Sequence, residues 1–213
     1  MKKVNTISRR SRGFPQIRLS DLLAICEISG KKLALRPVKT AKVSILRLLK
    51  TSIVNHVFLL LGSNEGDRGN YLENARFRMQ LLAGRATTAS SIYQTAAWGN
   101  TSQAPFLNQV IAIDTTLDPH VLLSTVLAVE KSLGRIRTEK WAPRTIDIDI
   151  LFYGDQAINE PDLVIPHALL HDRRFALIPL AEISPELLHP LLKKTIRQLL
   201  EECQDHLDVL KVS

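Results

Sequence analysis

Residues Ile146 to Phe152 read I-D-I-D-I-L-F, and this run limits the possible folds more than any other stretch of the chain. Ile146, Ile148, Ile150 and Phe152 alternate with Thr145, Asp147, Asp149 and Leu151. β-Branched residues at period two predict a strand. Side chains two apart share a face, with Cα atoms roughly 6.5 Å apart, so Asp147 and Asp149 project side by side. Neighbouring carboxylates repel, and one should hold its proton to higher pH unless a cation lies between them. A hard divalent cation suits such a pair, since Mg²⁺ usually takes one or two carboxylates plus substrate phosphates. The competing reading is a half-exposed edge strand whose outer face is acidic.

The length of 213 residues suggests one domain, with room for an appendage. A hydrophobic content of 45% and a charged content of 23% fit a soluble globular protein. Unbroken apolar runs are short, as in Val57 to Leu61, which predicts no membrane span. Cys26 and Cys203 lie far apart and form neither a disulfide framework nor a zinc spacing. A reducing compartment, the cytoplasm, is the expectation.

The net charge of +7 is unevenly placed. Residues 1–54 carry 13 Lys/Arg against Asp21 and Glu27, whereas residues 55–213 carry 15 basic and 19 acidic residues. The basic character therefore belongs to the first quarter of the chain and does not argue for nucleic-acid binding by the body. Residues 1–54 have three readings: a disordered basic arm, an organelle-targeting peptide, or a start-site artefact. The arm and the artefact are favoured, because strong folding signals begin near Val54. Residues 55–213 are expected to form the functional domain.

His56 to Leu61 predicts a buried strand, followed by a turn at Gly62-Ser63-Asn64. Asp67 predicts the N-cap of a helix to about Leu82, with Tyr71, Leu72, Ala75, Met79 and Leu82 on one stripe. Thr87 to Thr95 and Phe106 to Thr115 predict strands. Asp118-Pro119 opens a helix to Leu133 that Gly134 terminates. The Ile146–Phe152 strand follows, and a helical stretch from Leu192 to Glu202 closes the domain. The order β-α-β-β-α-β matches a ferredoxin-like α+β sandwich, an antiparallel sheet with helices packed on it.

Basic residues gather before the paired acids. Arg135 and Arg137 follow a helix end, Lys140 and Trp141 come next, and Arg144 adjoins the strand. Guanidinium groups pair with phosphate oxygens, so this loop suits a nucleoside triphosphate; a solvated basic loop is the alternative. The P-loop pattern is absent, and the glycine-containing turn after the first strand is a weak signal. His167 in V-I-P-H is either structural or a neighbour of phosphate or metal.

Together Leu61-Gly-Ser-Asn64, Tyr93-Gln-Thr95, Phe106-Leu-Asn108, Glu130, Gly134-Arg-Ile-Arg137, Trp141 to Ile150, Val164-Ile-Pro-His167 and Arg173-Arg-Phe175 resemble the 6-hydroxymethyl-7,8-dihydropterin pyrophosphokinase family. The resemblance spans about residues 56 to 190. It implies transfer of the β,γ-diphosphate of ATP to the pterin hydroxymethyl group, with release of AMP, in folate biosynthesis. It implies two Mg²⁺ ions on Asp147 and Asp149. Arg135 and Arg144 match arginines that act on phosphates. Glu130, Arg137, Trp141, Ile150, His167 and Arg173 match positions around ATP. Phe106 and Phe175 match aromatics that sandwich the pterin, Asn108 the side chain that reads its polar edge, and Thr95, Ala97 and Trp98 the segment contacting it. A monomer without nucleic-acid or membrane partners is expected.

Four positions depart from the family's pattern. Leu127 stands for a glutamine, Lys140 for an arginine, Ala96-Ala97 for a proline pair, and Ala168 for a tyrosine. These predict altered affinity, since none touches the metal pair or the pterin sandwich. Two rival functions use the same features. An RNA-binding ferredoxin-like sheet would need exposed aromatics on adjacent strands and a basic face. A two-metal nuclease would use the aspartates but leaves Phe106, Asn108 and Phe175 without a role.

Overall fold

The computed structural model describes residues 53–98, 103–136 and 142–212. Residues 1–52, on which most of the N-terminal reading falls, lie outside the described residues, as do Arg137, Lys140 and Trp141.

The elements run β1 (Asn55–Ser63), α1 (Arg68–Leu82), β2 (Arg85–Ala89), β3 (Tyr93–Thr95), β4 (Phe106–Thr115), α2 (Pro119–Ser132), β5 (Asp147–Tyr153), β6 (Ile158–Glu160), β7 (Leu163–Ile165), α3 (Arg174–Ile183), α4 (Ile196–Glu202) and β8 (Val209–Lys211). The main sheet has the order β5-β1-β4-β3-β8, with β2 also on β4, and its pairs are antiparallel. This is the predicted α+β sandwich, with β1 and β4 central.

Both predicted long helices form with the predicted caps. Asp67 accepts from the Asn70 N–H at 3.1 Å, and Asp118 accepts from the N–H groups of His120 and Val121 at 3.0 Å. Such caps contribute roughly 1 kcal/mol each. Leu72, Ala75 and Met79 of α1 are buried as the stripe requires, whereas Leu82 is 53% exposed. Together with Leu122, Val126 and Val129 of α2 they cover one face of the sheet, against Leu59, Leu61, Ile111 and Ile113. Each fully buried aliphatic side chain contributes about 1.5–3 kcal/mol relative to exposure.

The other face is covered as well. Ala176, Leu177 and Leu180 of α3 and Ile196 and Leu199 of α4 pack on Phe58, Leu60, Val110 and Phe152. Phe58 and Phe152 thus lie beneath helices, so the exposed aromatic sheet face that RNA binding requires does not exist there.

Several boundaries differ from expectation. Gly62 and Ser63 do not turn; they complete β1, paired with Asn108 and Leu107, and the reversal follows at Gly66, whose φ is 64°. The strand expected over Thr87–Thr95 is two strands. Ser90 separates them, its Oγ accepting from the Val110 N–H at 3.0 Å in place of a regular ladder bond. The closing helix begins at Ile196, not Leu192, with Thr195 and Gln198 forming a capping box.

Within β5 the alternation breaks. Ile150 pairs with Leu59 but Phe152 with Phe58, an irregularity that inserts Leu151. Ile148 and Ile150 therefore face α1 and α2, while Leu151 and Phe152 both face α3 and α4. Strict alternation would have put Phe152 with the isoleucines.

Candidate active site

The sheet face opposite α1 and α2 has two halves. Near the end of β5 it is filled by α3 and α4; near the start of β5 it opens into a cleft of about 640 Å³, solvent mouth included. Leu60 and Gly62 form its floor, and Asp147, Asp149, Arg144, Asn108, Phe106 and Thr95 to Trp98 surround them, with Arg173 and Phe175 opposite.

Asp147 and Asp149 lie together on this face, as the sequence predicts. Asp147 is held between two arginines: Arg135 Nη1 donates to Oδ1 and Arg144 Nη1 to Oδ2. Arg135 also donates to Glu130 Oε1. Burial favours the neutral form of Arg135, but Asp147 and Glu130 outweigh it and hold the guanidinium pKa above its ordinary value.

Asp149 has looser partners, with Arg173 Nη1 at 3.6 Å and His167 Nε2 at 4.0 Å from Oδ2. Burial, then the neighbouring Asp147, pushes the Asp149 carboxyl up to about 7. Burial and the adjacent Arg173 push His167 down to about 4, so its ring is neutral at neutral pH. The donor set fits a hard divalent cation: two carboxylates from one strand face and no soft ligand. A cation between them would relieve the repulsion that raises Asp149.

The aromatic and amide groups define the other half of the cleft. Arg144 lies over Phe106 with 5.8 Å to the ring centroid. Arg173 lies over Trp98 at 5.3 Å and Phe175 at 5.7 Å. Asn108 is 3% exposed, and its Nδ2 donates to Thr95 Oγ1 at 2.8 Å. That bond leaves one amide hydrogen and the carbonyl oxygen of Asn108 for a further partner. Nε of Arg144 and Nε of Arg173 are buried without a hydrogen-bond partner among the described residues, which suits groups destined for anionic oxygens.

Thr95, Ala97, Trp98, Phe106, Asn108, Arg144, Asp147, Asp149, Arg173 and Phe175 are thus brought to one cleft. Arg135 and His167 reach it through the aspartates. Glu130 is 2% exposed and spends its Oε1 inside the protein, on Arg135 and on the Ile148 N–H at 2.8 Å. Its place is behind the site, not on its surface. The Ile150 side chain packs in the core under α1 and α2 and does not line the cleft. Leu127 is 38% exposed on α2, and Ala96 lines the cleft.

Asn64 carried no assigned role in the sequence reading, yet it latches the site. It is 4% exposed; its Oδ1 accepts from the Arg144 N–H at 2.8 Å, and its own N–H donates to the Arg144 carbonyl at 3.2 Å. Its Nδ2 donates to Gln103 Oε1 at 3.2 Å. Its partners are distant in sequence, so only a polar residue ending an apolar strand could have signalled it. A separate surface group, His120, Glu160 and Asp162, has ligand atoms within 4.8 Å of one another, at the opposite end of α2 from Arg135.

Residues 58–185 match the family model for 7,8-dihydro-6-hydroxymethylpterin-pyrophosphokinase (HPPK). The chain is 44% identical over 135 residues to a 2-amino-4-hydroxy-6-hydroxymethyldihydropteridine pyrophosphokinase of Methylorubrum extorquens, covering 63% of this chain and 85% of that protein. It is 40% identical over 146 residues to the enzyme of that name from Aquifex aeolicus, covering 68% of this chain and 91% of that protein. Among solved structures it resembles an HPPK-DHPS triple mutant of Plasmodium falciparum, with a TM-score of 0.59 at 20% identity. That match covers 74% of this chain but 46% of the other, so the chain spans less than half of that protein. The likeness supports the fold. Among the described residues no helix is long and apolar enough to cross a membrane.

Proposed function

The chain belongs to the 7,8-dihydro-6-hydroxymethylpterin-pyrophosphokinase family, and from that premise we propose how its residues divide the work of diphosphate transfer from ATP. The enzyme is a pyrophosphokinase of folate biosynthesis; its product is the pterin diphosphate, and AMP leaves. The observation that carries the assignment of roles is a single cleft holding two carboxylates, two phenylalanines and a buried amide.

Phe106 and Phe175 stack on the two faces of the pterin ring, an interaction with large contact area and modest directional demand. The remaining amide hydrogen and carbonyl oxygen of Asn108 read the ring's polar edge, and Thr95, Ala97 and Trp98 close the wall beside it. Asp147 and Asp149 would hold two Mg²⁺ ions, which when bound supply charge neutralisation at the phosphates and lower the pKa of the pterin hydroxyl. Arg135 and Arg144, already at the aspartates, reach the phosphates, with His167 and Arg173 at the nucleotide side. Arg137, Trp141 and Ile150 belong to the nucleotide side by family position alone.

The pterin hydroxyl loses its proton to solvent as its oxygen attacks the β-phosphorus in line, and the bond between that phosphorus and the oxygen it shares with the α-phosphate breaks. Negative charge grows on that oxygen as AMP departs, and fixed guanidinium groups in a cleft stabilise it more than water does. No protein nucleophile is required. A monomeric cytoplasmic enzyme is the fitting context.

The test is a coupled product assay with ATP, Mg²⁺ and 6-hydroxymethyl-7,8-dihydropterin, resolving nucleotides by chromatography. AMP should appear in step with pterin diphosphate and only when pterin is present. ADP, or AMP without pterin, would defeat the reading.

A further inference from the structure

Gly62 occupies the centre of the cleft floor. On β1 it pairs with Asn108 of β4 on one side and with Asp147 of β5 on the other. A methyl group built on its Cα would lie 2.8 Å from Asn108 Oδ1 and 3.6 Å from Phe106 Cδ1. The first distance is closer than nonbonded atoms come, so the Asn108 amide lies in the space a side chain would take.

The backbone of Gly62 is ordinary strand, not among the glycines with positive φ. Conformational freedom therefore does not explain a glycine here, and a glycine inside a strand carries an entropic cost. What the fold uses is the missing side chain. The amide above it is not free to step aside, because Asn108 is 3% exposed and donates to Thr95 Oγ1 at 2.8 Å.

We infer that Gly62 is a positioning residue for pterin recognition: its bare Cα lets the Asn108 amide lie flat on the cleft floor at the depth where the ring edge meets it. The inference rests on the reading of Asn108 as the group that recognises the pterin. A side chain at position 62 either breaks the bond to Thr95 or lifts the amide toward the ring, and both misplace its donor and acceptor. The nucleotide side, built on the aspartates and arginines, is not reached by this displacement.

A double-mutant cycle tests it. Full-length parent, Gly62→Ala, Asn108→Ala and the double variant are titrated with 6-hydroxymethyl-7,8-dihydropterin in the presence of Mg²⁺ and α,β-methylene-ATP. The nucleotide analogue is titrated separately, and thermal midpoints are recorded. Gly62→Ala should weaken pterin binding about tenfold or more, while analogue binding stays within about twofold. In the Asn108→Ala background, the same change at position 62 should cause no further loss.

A penalty that persists unchanged in the Asn108→Ala background would overturn the inference while leaving the role of Asn108 intact. Parent-like binding by Gly62→Ala would do the same. If Asn108→Ala itself binds pterin like the parent, the reading of Asn108 falls and the inference with it. Should Gly62→Ala be too unstable to titrate, the double variant decides. Removing Oδ1 removes the clash, so its thermal midpoint should match that of Asn108→Ala; a midpoint as low as that of Gly62→Ala would overturn the inference.

Discussion

Glu130 Oε1 accepts a 2.8 Å hydrogen bond from the backbone N–H of Ile148, the residue between the two aspartates. The same carboxylate anchors Arg135, which in turn holds Asp147. One buried acid at the end of α2 therefore sets the height of β5 and the direction of an arginine. Glu130→Ala should destabilise the protein by about 3 kcal/mol, because it removes one of the two carboxylate partners of a partly buried guanidinium and leaves the Ile148 backbone N–H without its acceptor. Glu130→Gln keeps an acceptor for Ile148 and should fall between. Urea unfolding of the three proteins checks this order.

The aspartates should separate in stability while agreeing in activity. Asp147→Ala and Asp149→Ala should each slow AMP release by about 10³-fold or more, several kcal/mol of charge stabilisation being lost. Asp147→Ala should also lower the thermal midpoint, since it leaves Arg135 and Arg144 without a shared acceptor. Asp149→Ala should leave the midpoint unchanged or raise it, because burial and Asp147 disfavour the Asp149 charge. Calorimetry without added metal reads the difference, and chelation with EDTA should abolish turnover in the parent until Mg²⁺ is restored.

Phe106→Ala and Phe175→Ala should raise the pterin KM by roughly tenfold or more each, from lost stacking area, with a smaller effect on the KM for ATP. Because Arg144 and Arg173 lie over these rings, replacement by Leu should recover less than replacement by Tyr. Steady-state kinetics with each substrate varied in turn would expose a reversed pattern.

Glu182 gives a pH signature remote from the chemistry. Burial pushes its carboxyl up, but bonds from Ser91 Oγ, Lys211 Nζ, the Ser91 N–H and the Tyr93 hydroxyl outweigh it and hold the pKa at about 2. The unfolded carboxyl titrates near ~4.3. Because the folded value is the lower one, the contribution is complete above the unfolded pKa and is lost as pH falls toward 2. The urea midpoints of the parent and Glu182→Gln should therefore differ at pH 7 and converge between about pH 4.5 and pH 2.5.

Gly84→Ala should be among the most damaging single methyl additions. Gly84 has φ of 152°, and a Cβ there would lie 2.1 Å from the Asp114 carbonyl oxygen. That atom is backbone in β4 and cannot rotate away. The expected loss is about 2 kcal/mol or more, read as a lowered midpoint with pterin affinity unchanged in the folded fraction.

The parts of the fold that were legible in the sequence share one property: their signal is local. The caps Asp67 and Asp118, the stripe through Leu72, Ala75 and Met79, and the alternation around Asp147 and Asp149 each sit within a few residues. What stayed hidden depends on distant partners. The three residues of β8 are too few for a period, and they form a strand because β3 offers an edge. The helix α3 contains Pro179, which reads as a breaker, yet its apolar face finds Phe58 and Phe152. Asn64 reaches Arg144, and Ser91 reaches Glu182, across most of the domain. Resemblance supplied the site residues that geometry alone did not, among them Ile150, whose side chain lies in the core.

The extra residue at Leu151 works as a phase shifter. Upstream of it β5 presents acids to the cleft and isoleucines to α1 and α2; downstream it presents Leu151 and Phe152 to α3 and α4. Paired without the irregularity, the same residues would turn Phe152 toward α1 and α2 and Tyr153 toward α3 and α4, and the downstream half of the strand would be inside out. The interruption lets one short strand serve two masters. The upstream half of this seven-residue segment thus carries the carboxylates, and the downstream half carries the packing under α3 and α4.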